Sequence, residues 1–598
     1  MRRVIVTVLA GFGGLFLVLL AVIYFGVKGL MLSPQPQPLS EQTVLKLRIG
    51  GYPMAEHSGG FSLLLNGDGK GASLSTILKA IEKGAEDKHV KGILLLIDGN
   101  TIGIAQAQEI RDALVKFKEH NKFVYAFADT FGELSNGTVS YYAATAATKI
   151  WLQPQGNLGL TGMMAEVPFA REALDNFNII PQITKREEYK SAIESTTEKD
   201  FTPAHREMMK NLLNVLVTQI VTGISESRKL TPEVTRQLLD DGPHLGQEAI
   251  TNKLVDELGY LDNVKGSIKA LLLKEGEPDY VSIVSYLKRS TPEKPTTEQL
   301  KNKIGVIYLT GAIHRGHNGS DFSEDGSGGS DRALTKAIEE AAKDKDIKAI
   351  VLRINSGGGS ANASETIWRA VKNVVDAKIP VIVSMGDMAA SGGYLIASGA
   401  SKIVAQPGTL TGSIGVYSGK IVTEGLWNEY GVKWGEVHSG ENVTMWSSGQ
   451  PYSEKGWKKL QSIADEIYLS FRDKVAKGRH LDDTKVHELA KGRVWTGQEA
   501  KDKGLVDALG GMATAIEVAK IECGLKSTDK IHLVNFPKKK TFSEKIMDLV
   551  SEGDVAVFTD NSLVRTLVSF ASKIQMFSSN LSQTTDRKNL EAQPVILK

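Results

Sequence analysis

Short apolar runs alternate with helical segments along most of the chain, and that alternation sets the expected architecture. From Thr43 the sequence predicts a strand (VLKLRI), a Gly-rich loop, a helix from Leu74 to Lys83, a strand from Gly92 to Asp98 and a further helix. A strand from Phe123 to Asp129, a helix and a strand from Lys149 to Gln153 complete the series. Apolar strands alternating with helices argue for an α/β domain with crossover connections. The series then recurs: after a charged, Pro-containing stretch from Lys288 to Lys303 come IGVIYL, a Gly- and Ser-rich loop from Arg315 to Ser330, a helix, AIVLRIN, PVIVSM and KIVAQ.

The recurrence extends to individual residues. YYAATAATKIWLQPQ from Tyr141 aligns with YLIASGASKIVAQPG from Tyr394, an offset of 394 − 141 = 253. GQEAITNKLVDELG from Gly246 aligns with GQEAKDKGLVDALG from Gly497, an offset of 251. An internal duplication accounts for both, and two periods give a pair of similar domains rather than a solenoid. The expected divisions are a first copy over 43–287, a linker over 288–303, a second copy over 304–535 and a divergent tail over 536–598. The tail has weakly amphipathic stretches, Phe542 to Val550 and Leu563 to Phe577, for which ordinary packing is expected.

Ahead of the first copy, residues Val4 to Val27 form 24 consecutive positions without a charge. Such a run is long enough as a helix to cross a hydrocarbon core of roughly 30 Å. It ends in Lys28, Gly29, Leu30 and Met31 with no small-residue cleavage pattern, so an uncleaved anchor over 1–30 is expected, followed by a Pro-rich spacer over 31–42. Arg2 and Arg3 precede the run, which puts the N-terminus in the cytoplasm and the body outside it.

At 598 residues the chain exceeds a single core, and its net charge of +2 comes with no long basic block, so nothing points to nucleic acid. One cysteine, Cys523, makes no intrachain disulfide, and the eleven histidines show no ligand spacing, so no metal or organic cofactor is expected.

The candidate chemistry lies in GDMAASGGY, Gly386 to Tyr394. A serine among small residues, followed by two glycines between a strand and a helix, has an exposed hydroxyl and nearby backbone N–H groups. Ser391 is the candidate nucleophile. In the first copy the aligned residues are Thr138, Val139 and Ser140, so Thr138 is expected to be structural. NSGGGS, Asn355 to Ser360, is a glycine run at a strand end that can aim N–H groups at an oxyanion, and its counterpart DGNTIG, Asp98 to Gly103, has lost most of those glycines. A serine needs a base. His314, His317 and His438 have no context linking them to Ser391, which leaves a desolvated lysine as the other option.

GDMAASGGY with SKIVAQPGTLTGSIGV, NSGGGS and GRVWTGQEAKDKGLVDALG resembles the signal peptide peptidase A (protease IV) family, in its long duplicated bacterial form with an N-terminal anchor. The resemblance covers Thr43 to Asp529. It implies two tandem Clp protease/crotonase-like α/β domains of repeated ββα units, and a Ser/Lys dyad. The family's Y-K-S-A motif falls on Tyr189 to Ala192, assigning Lys190 as general base to the nucleophile Ser391. The resemblance further assigns Ser413, from T-G-S-I-G, to hold the lysine amine, and the N–H groups of Gly358 and Gly392 to the oxyanion. The duplicated position of Lys190 is Val443, so each copy keeps one half of the dyad. Where the family reads N-S-P-G-G, Gly357 replaces the proline, which is expected to loosen the loop.

The implied activity is that of a serine endopeptidase of the inner membrane, cutting signal-peptide remnants and other short apolar peptides on the extracytoplasmic side, as a homotetramer and without a cofactor. A catalytically silent membrane scaffold or quality-control adaptor is the alternative. A crotonase-like acyl-CoA enzyme is disfavoured by the Ser/Lys pair and the anchor.

Overall fold

The computed structural model describes residues 38–57, 72–272, 276–290, 295–316 and 328–538. The expected anchor, the middle of the Gly- and Ser-rich loop with His317, and the amphipathic stretches of the tail lie outside the described residues. Among the described residues no helix is long and apolar enough to cross a membrane.

The first copy runs β1 (Thr43–Ile49), α1 (Leu74–Glu86), β2 (Val90–Ile97), α2 (Ile104–Glu119), β3 (Phe123–Ala128), α3 (Thr138–Ala144), β4 (Lys149–Leu152), β5 (Ile180–Lys185), α4 (Pro203–Arg228), β6 (Glu257–Leu258) and β7 (Asp279–Ser282). The second runs β8 (Lys303–Thr310), α5 (Asp331–Lys343), β9 (Ile347–Ser356), α6 (Ala361–Asp376), β10 (Val381–Ala390), α7 (Gly392–Ala397), β11 (Lys402–Ala405), β12 (Leu410–Gly412), β13 (Tyr417–Val422), α8 (Glu454–Arg479), β14 (Val494–Thr496), β15 (Ala508–Leu509), α9 (Met512–Glu522) and β16 (His532–Phe536).

The duplication is visible in the topology. One parallel sheet has the order β6-β4-β3-β2-β1-β7, and the other repeats it as β15-β11-β10-β9-β8-β16. Helices cover both faces of each sheet, so the central strands are apolar on both sides, which is why they read as continuous runs rather than alternations. The long helices α4 and α8 each have 26 residues, each starts behind a Thr or Ser N-cap and each ends in a left-handed residue, Lys229 and His480. Tyr141 and Tyr394, the aligned pair, are both buried, and their hydroxyls donate to Leu254 O (2.6 Å) and Leu505 O (2.9 Å).

Two features depart from the expected elements. The stretch from Lys288 to Lys303 is not irregular throughout: a helix, Ile283–Arg289, reaches into it, and a short helix, Thr297–Lys301, forms where Thr296 and Gln299 make a reciprocal capping box. Strand β10 does not stop at Met385 but continues to Ala390, because its upper part gains a partner, β12, which pairs in turn with β14.

The copies are interlocked. Strand β5 of the first copy pairs antiparallel with β13 of the second, from Lys185–Tyr417 to Ile180–Val422. That ribbon carries the chain following β5 across to the second copy.

Candidate active site

Ser391 sits where β10 turns into α7, with φ 52 and ψ −119. That is a strained backbone for a residue with a Cβ, and it is held by the N–H of Ser391 donating to Gly412 O (2.9 Å) and by the N–H of Leu395 donating to Ser391 O (2.9 Å). The glycines after it are required by contact: a Cβ at Gly392 would lie 2.3 Å from Ser364 Oγ on α6. The glycine run at the end of β9 crosses the same turn. Gly358 has φ 101, and a Cβ there would lie 2.7 Å from Gly392 N and 2.9 Å from Ser391 Cβ. The loop is pinned by the Ile313 N–H donating to Gly358 O (2.9 Å), and the Gly358 N–H donates to Ser356 Oγ (3.1 Å). Gly357 is exposed and does not have a positive φ.

Lys190 follows β5 and enters this site from the first copy. Its Nζ lies 3.1 Å from Ser391 Oγ, 3.0 Å from Ser413 Oγ and 2.9 Å from Ser413 O. Ser413 presents both oxygens because it too has a left-handed backbone, φ 49, fixed by its N–H donating to Arg493 O (2.7 Å). The lysine is only 3 % exposed, and burial alone lowers its pKa from the ordinary 10.5 to about 7. An ammonium donates to all three neighbours. The neutral amine keeps two donors for the Ser413 oxygens and turns a lone pair towards Ser391 O–H, the arrangement a general base needs.

The structure thus brings Lys190, Ser391 and Ser413 within hydrogen-bonding distance and lays Gly358 against Gly392. Of the candidate histidines described, His438 is exposed with its ring 3.9 Å from Glu436, and His314 is half-buried in the loop after β8. Thr138 is buried in the first copy, where its hydroxyl accepts from the N–H groups of Thr161 and Gly162, both at 3.1 Å. It is plugged by its own chain.

Several supporting residues were not anticipated. Gly492 has φ 79, and a Cβ there would lie 2.5 Å from Lys190 N, so the loop before β14 packs backbone to backbone on the lysine; the Tyr189 N–H donates to Lys491 O (3.1 Å). On the other side Glu194, fully buried, accepts from Thr202 Oγ1 (3.0 Å), pairs with His205 Nδ1 (3.0 Å) and binds Lys185, which closes the loop that carries Lys190. Beneath the serine turn lies a buried ion network. Arg353 on β9 donates to Glu56 and Glu109 of the first copy and to Ser384, each at 2.9 Å. The available signal was a charge inside an otherwise apolar strand, AIVLRIN. Asp387, four residues before Ser391, is half-buried, and desolvation with the nearby Glu56 charge raises its pKa to about 6.

A parallel α/β sheet that presents a serine on a strained strand–helix turn, beside a glycine loop and a buried lysine amine, defines a serine peptidase of Clp-like architecture. The comparisons agree. The model of peptidase family S49 matches residues 116–274 and 373–526, once in each copy, and that of Clp protease matches 332–409. Protease 4 of Salmonella typhi is 32% identical over 86% of this chain and 83% of its own. The chloroplastic serine protease SPPA of Arabidopsis thaliana is 29% identical over 81% of this chain and 71% of its own. Protease 4 of Haemophilus influenzae is 31% identical over 76% and 74%. The chain belongs to peptidase family S49 as a serine protease of the duplicated SppA type.

Proposed function

We propose that the chain is a Ser/Lys endopeptidase whose nucleophile is Ser391 and whose general base is Lys190. The observation that carries this reading is the Lys190 amine, buried and set 3.1 Å from Ser391 Oγ. Neutral Lys190 takes the Ser391 proton as the oxygen attacks the scissile carbonyl, and the Ser413 oxygens hold the resulting ammonium. The N–H groups of Gly358 and Gly392 stabilise the tetrahedral oxyanion. For Gly358 this means exchanging its bond to Ser356 Oγ for one to substrate. The ammonium then protonates the leaving amine, and the same lysine activates the water that hydrolyses the acyl-enzyme.

The substrates we propose are short apolar peptides, signal-peptide remnants among them. The uncharged run Val4 to Val27 supports anchoring in the cytoplasmic membrane with the body outside, and assembly as a homotetramer is part of the same reading. The test is hydrolysis of a fluorogenic peptide with apolar residues before the scissile bond by the full chain in detergent. Wild type is expected to cleave, and Ser391→Ala and Lys190→Ala to fall to background while remaining folded. Cleavage by either variant at the wild-type rate refutes the dyad.

A further inference from the structure

The dyad reading places the base in one copy and the nucleophile in the other, so a contact between copies must hold them in register. Strand β10 bulges on its way to Ser391. Ile354 pairs with Met385 and Ser356 with Ala389, so three residues, Gly386 to Met388, stand against the single Asn355. Asn355 fills the bulge: its Oδ1 accepts from the Met388 N–H (3.1 Å), and its Nδ2 donates to Glu56 (3.0 Å). The bulge turns the Asp387 side chain out of the second copy and into the first. There Oδ1 accepts the N–H groups of Ala105 (2.9 Å) and Gln106 (3.2 Å) at the start of α2.

The cap position of α2 shows why this contact is specific. In the second copy the corresponding helix, α6, is capped by its own Ser360, whose side chain accepts from the Ala363 N–H. In the first copy Gly103 stands at that place, so α2 has no N-cap side chain of its own and keeps only the Gly103 N–H donating to Gln106 Oε1 (3.4 Å). A Cβ at Gly103 would lie 2.1 Å from Asp387 Oδ2. The carboxylate occupies the space of the missing side chain. By strand register the counterpart of Asp387 is Thr130 (387 − 257), whose hydroxyl donates to Asn157 O (3.0 Å) within the first copy. A reciprocal contact lies nearby: Glu109 of α2 accepts the Met512 N–H (2.5 Å) at the start of α9, again behind a glycine, Gly511.

We propose that Asp387 is a positioning residue for Ser391, its carboxylate tying the bulge that aims the nucleophile to the first copy, which carries Lys190. The proposal rests on the dyad reading. A tie four residues from the nucleophile sets its placement against the base, where an error of about 1 Å can cost on the order of 100-fold in rate.

The test separates positioning from ordinary helix capping. Asp387→Ala in the full chain is expected to lower kcat roughly 10- to 100-fold with KM within about threefold, and to lower Tm. The double variant Gly103→Ser/Asp387→Ala gives α2 its own serine cap. It is expected to recover Tm but not kcat, and the rate of Ser391 acylation by a fluorophosphonate is expected to stay low with it. Gly103→Ala, which leaves Asp387 in place but puts a methyl where its carboxylate sits, is expected to lower kcat in the same way. Wild-type kcat in the double variant or in Gly103→Ala shows a local cap only and overturns the proposal. Ser391→Ala in the same assay keeps the two readings apart: if it still cleaves, the dyad has failed rather than the tie.

Discussion

Burying Lys190 as a neutral amine opposes folding, and that cost can be measured by removing the amine. A pKa lowered from 10.5 to about 7 corresponds to roughly 5 kcal/mol, at about 1.4 kcal/mol per pH unit. The unfolded lysine binds more protons than the native one between pH 7 and 10.5, so stability rises with pH across that window. Below it both states are protonated and the native protein bears the full penalty. Lys190→Met keeps the length and apolar stem but lacks the charge. Against the gain stands the loss of partners for the Ser413 oxygens and Ser391 Oγ, about 1–2 kcal/mol. The variant is therefore expected to be inactive yet more stable than wild type by about 3 kcal/mol near pH 6, with the difference shrinking steadily towards pH 10. The assay is the denaturant midpoint of both proteins over that pH range. A variant less stable than wild type at pH 6, or a difference that does not change with pH, refutes the claim that the lysine is held neutral by burial.

Other expectations follow from the same contacts. The value of kcat/KM should rise with pH through an apparent pKa near 7 and show no requirement for a protonated histidine, as read from a pH–rate profile. Ser413→Ala removes one of the two oxygens that hold the ammonium and should lower kcat about 10-fold while KM stays within about threefold, in line with loss of one charge-assisted hydrogen bond. Gly492→Ala places a methyl 2.5 Å from Lys190 N at a φ of 79 and should cut kcat at least about 10-fold through displacement of the lysine; steady-state kinetics with a Tm control checks it. Arg353→Met leaves Glu56 and Glu109 buried without their partner and should destabilise by about 3–5 kcal/mol, seen as a large fall in denaturant midpoint.

Much of the fold was legible because strands buried on both faces are written as uninterrupted apolar runs, and because the two copies share ordered segments such as KIWLQPQ and KIVAQPG. Ser391 was legible for a local reason: a strained turn in close contact with α6 demands the glycines that follow it. Lys190 was not legible from local pattern. Lys185, Arg186, Glu187 and Glu188 beside it read as a solvated segment, and only the Y-K-S-A resemblance singled it out. Its burial comes from β5 pairing with β13 and from Gly492 packing against its backbone, contacts between residues more than 200 positions apart. Asp387 and Gly103 were missed for the same reason. A lone aspartate after a strand and a glycine before a helix look like ordinary punctuation until the copies are docked.

In the proposed mechanism Lys190 from one copy and Ser391 from the other work as a single pair. The most direct measurement is the rate at which a fluorophosphonate acylates the full-length protein as a function of pH, with the labelled peptide identified by mass spectrometry. One label is expected, on Ser391, whose rate climbs through a pKa near 7 and collapses in Lys190→Ala. A label on another residue, or an unchanged rate on Ser391 without Lys190, would contradict that mechanism.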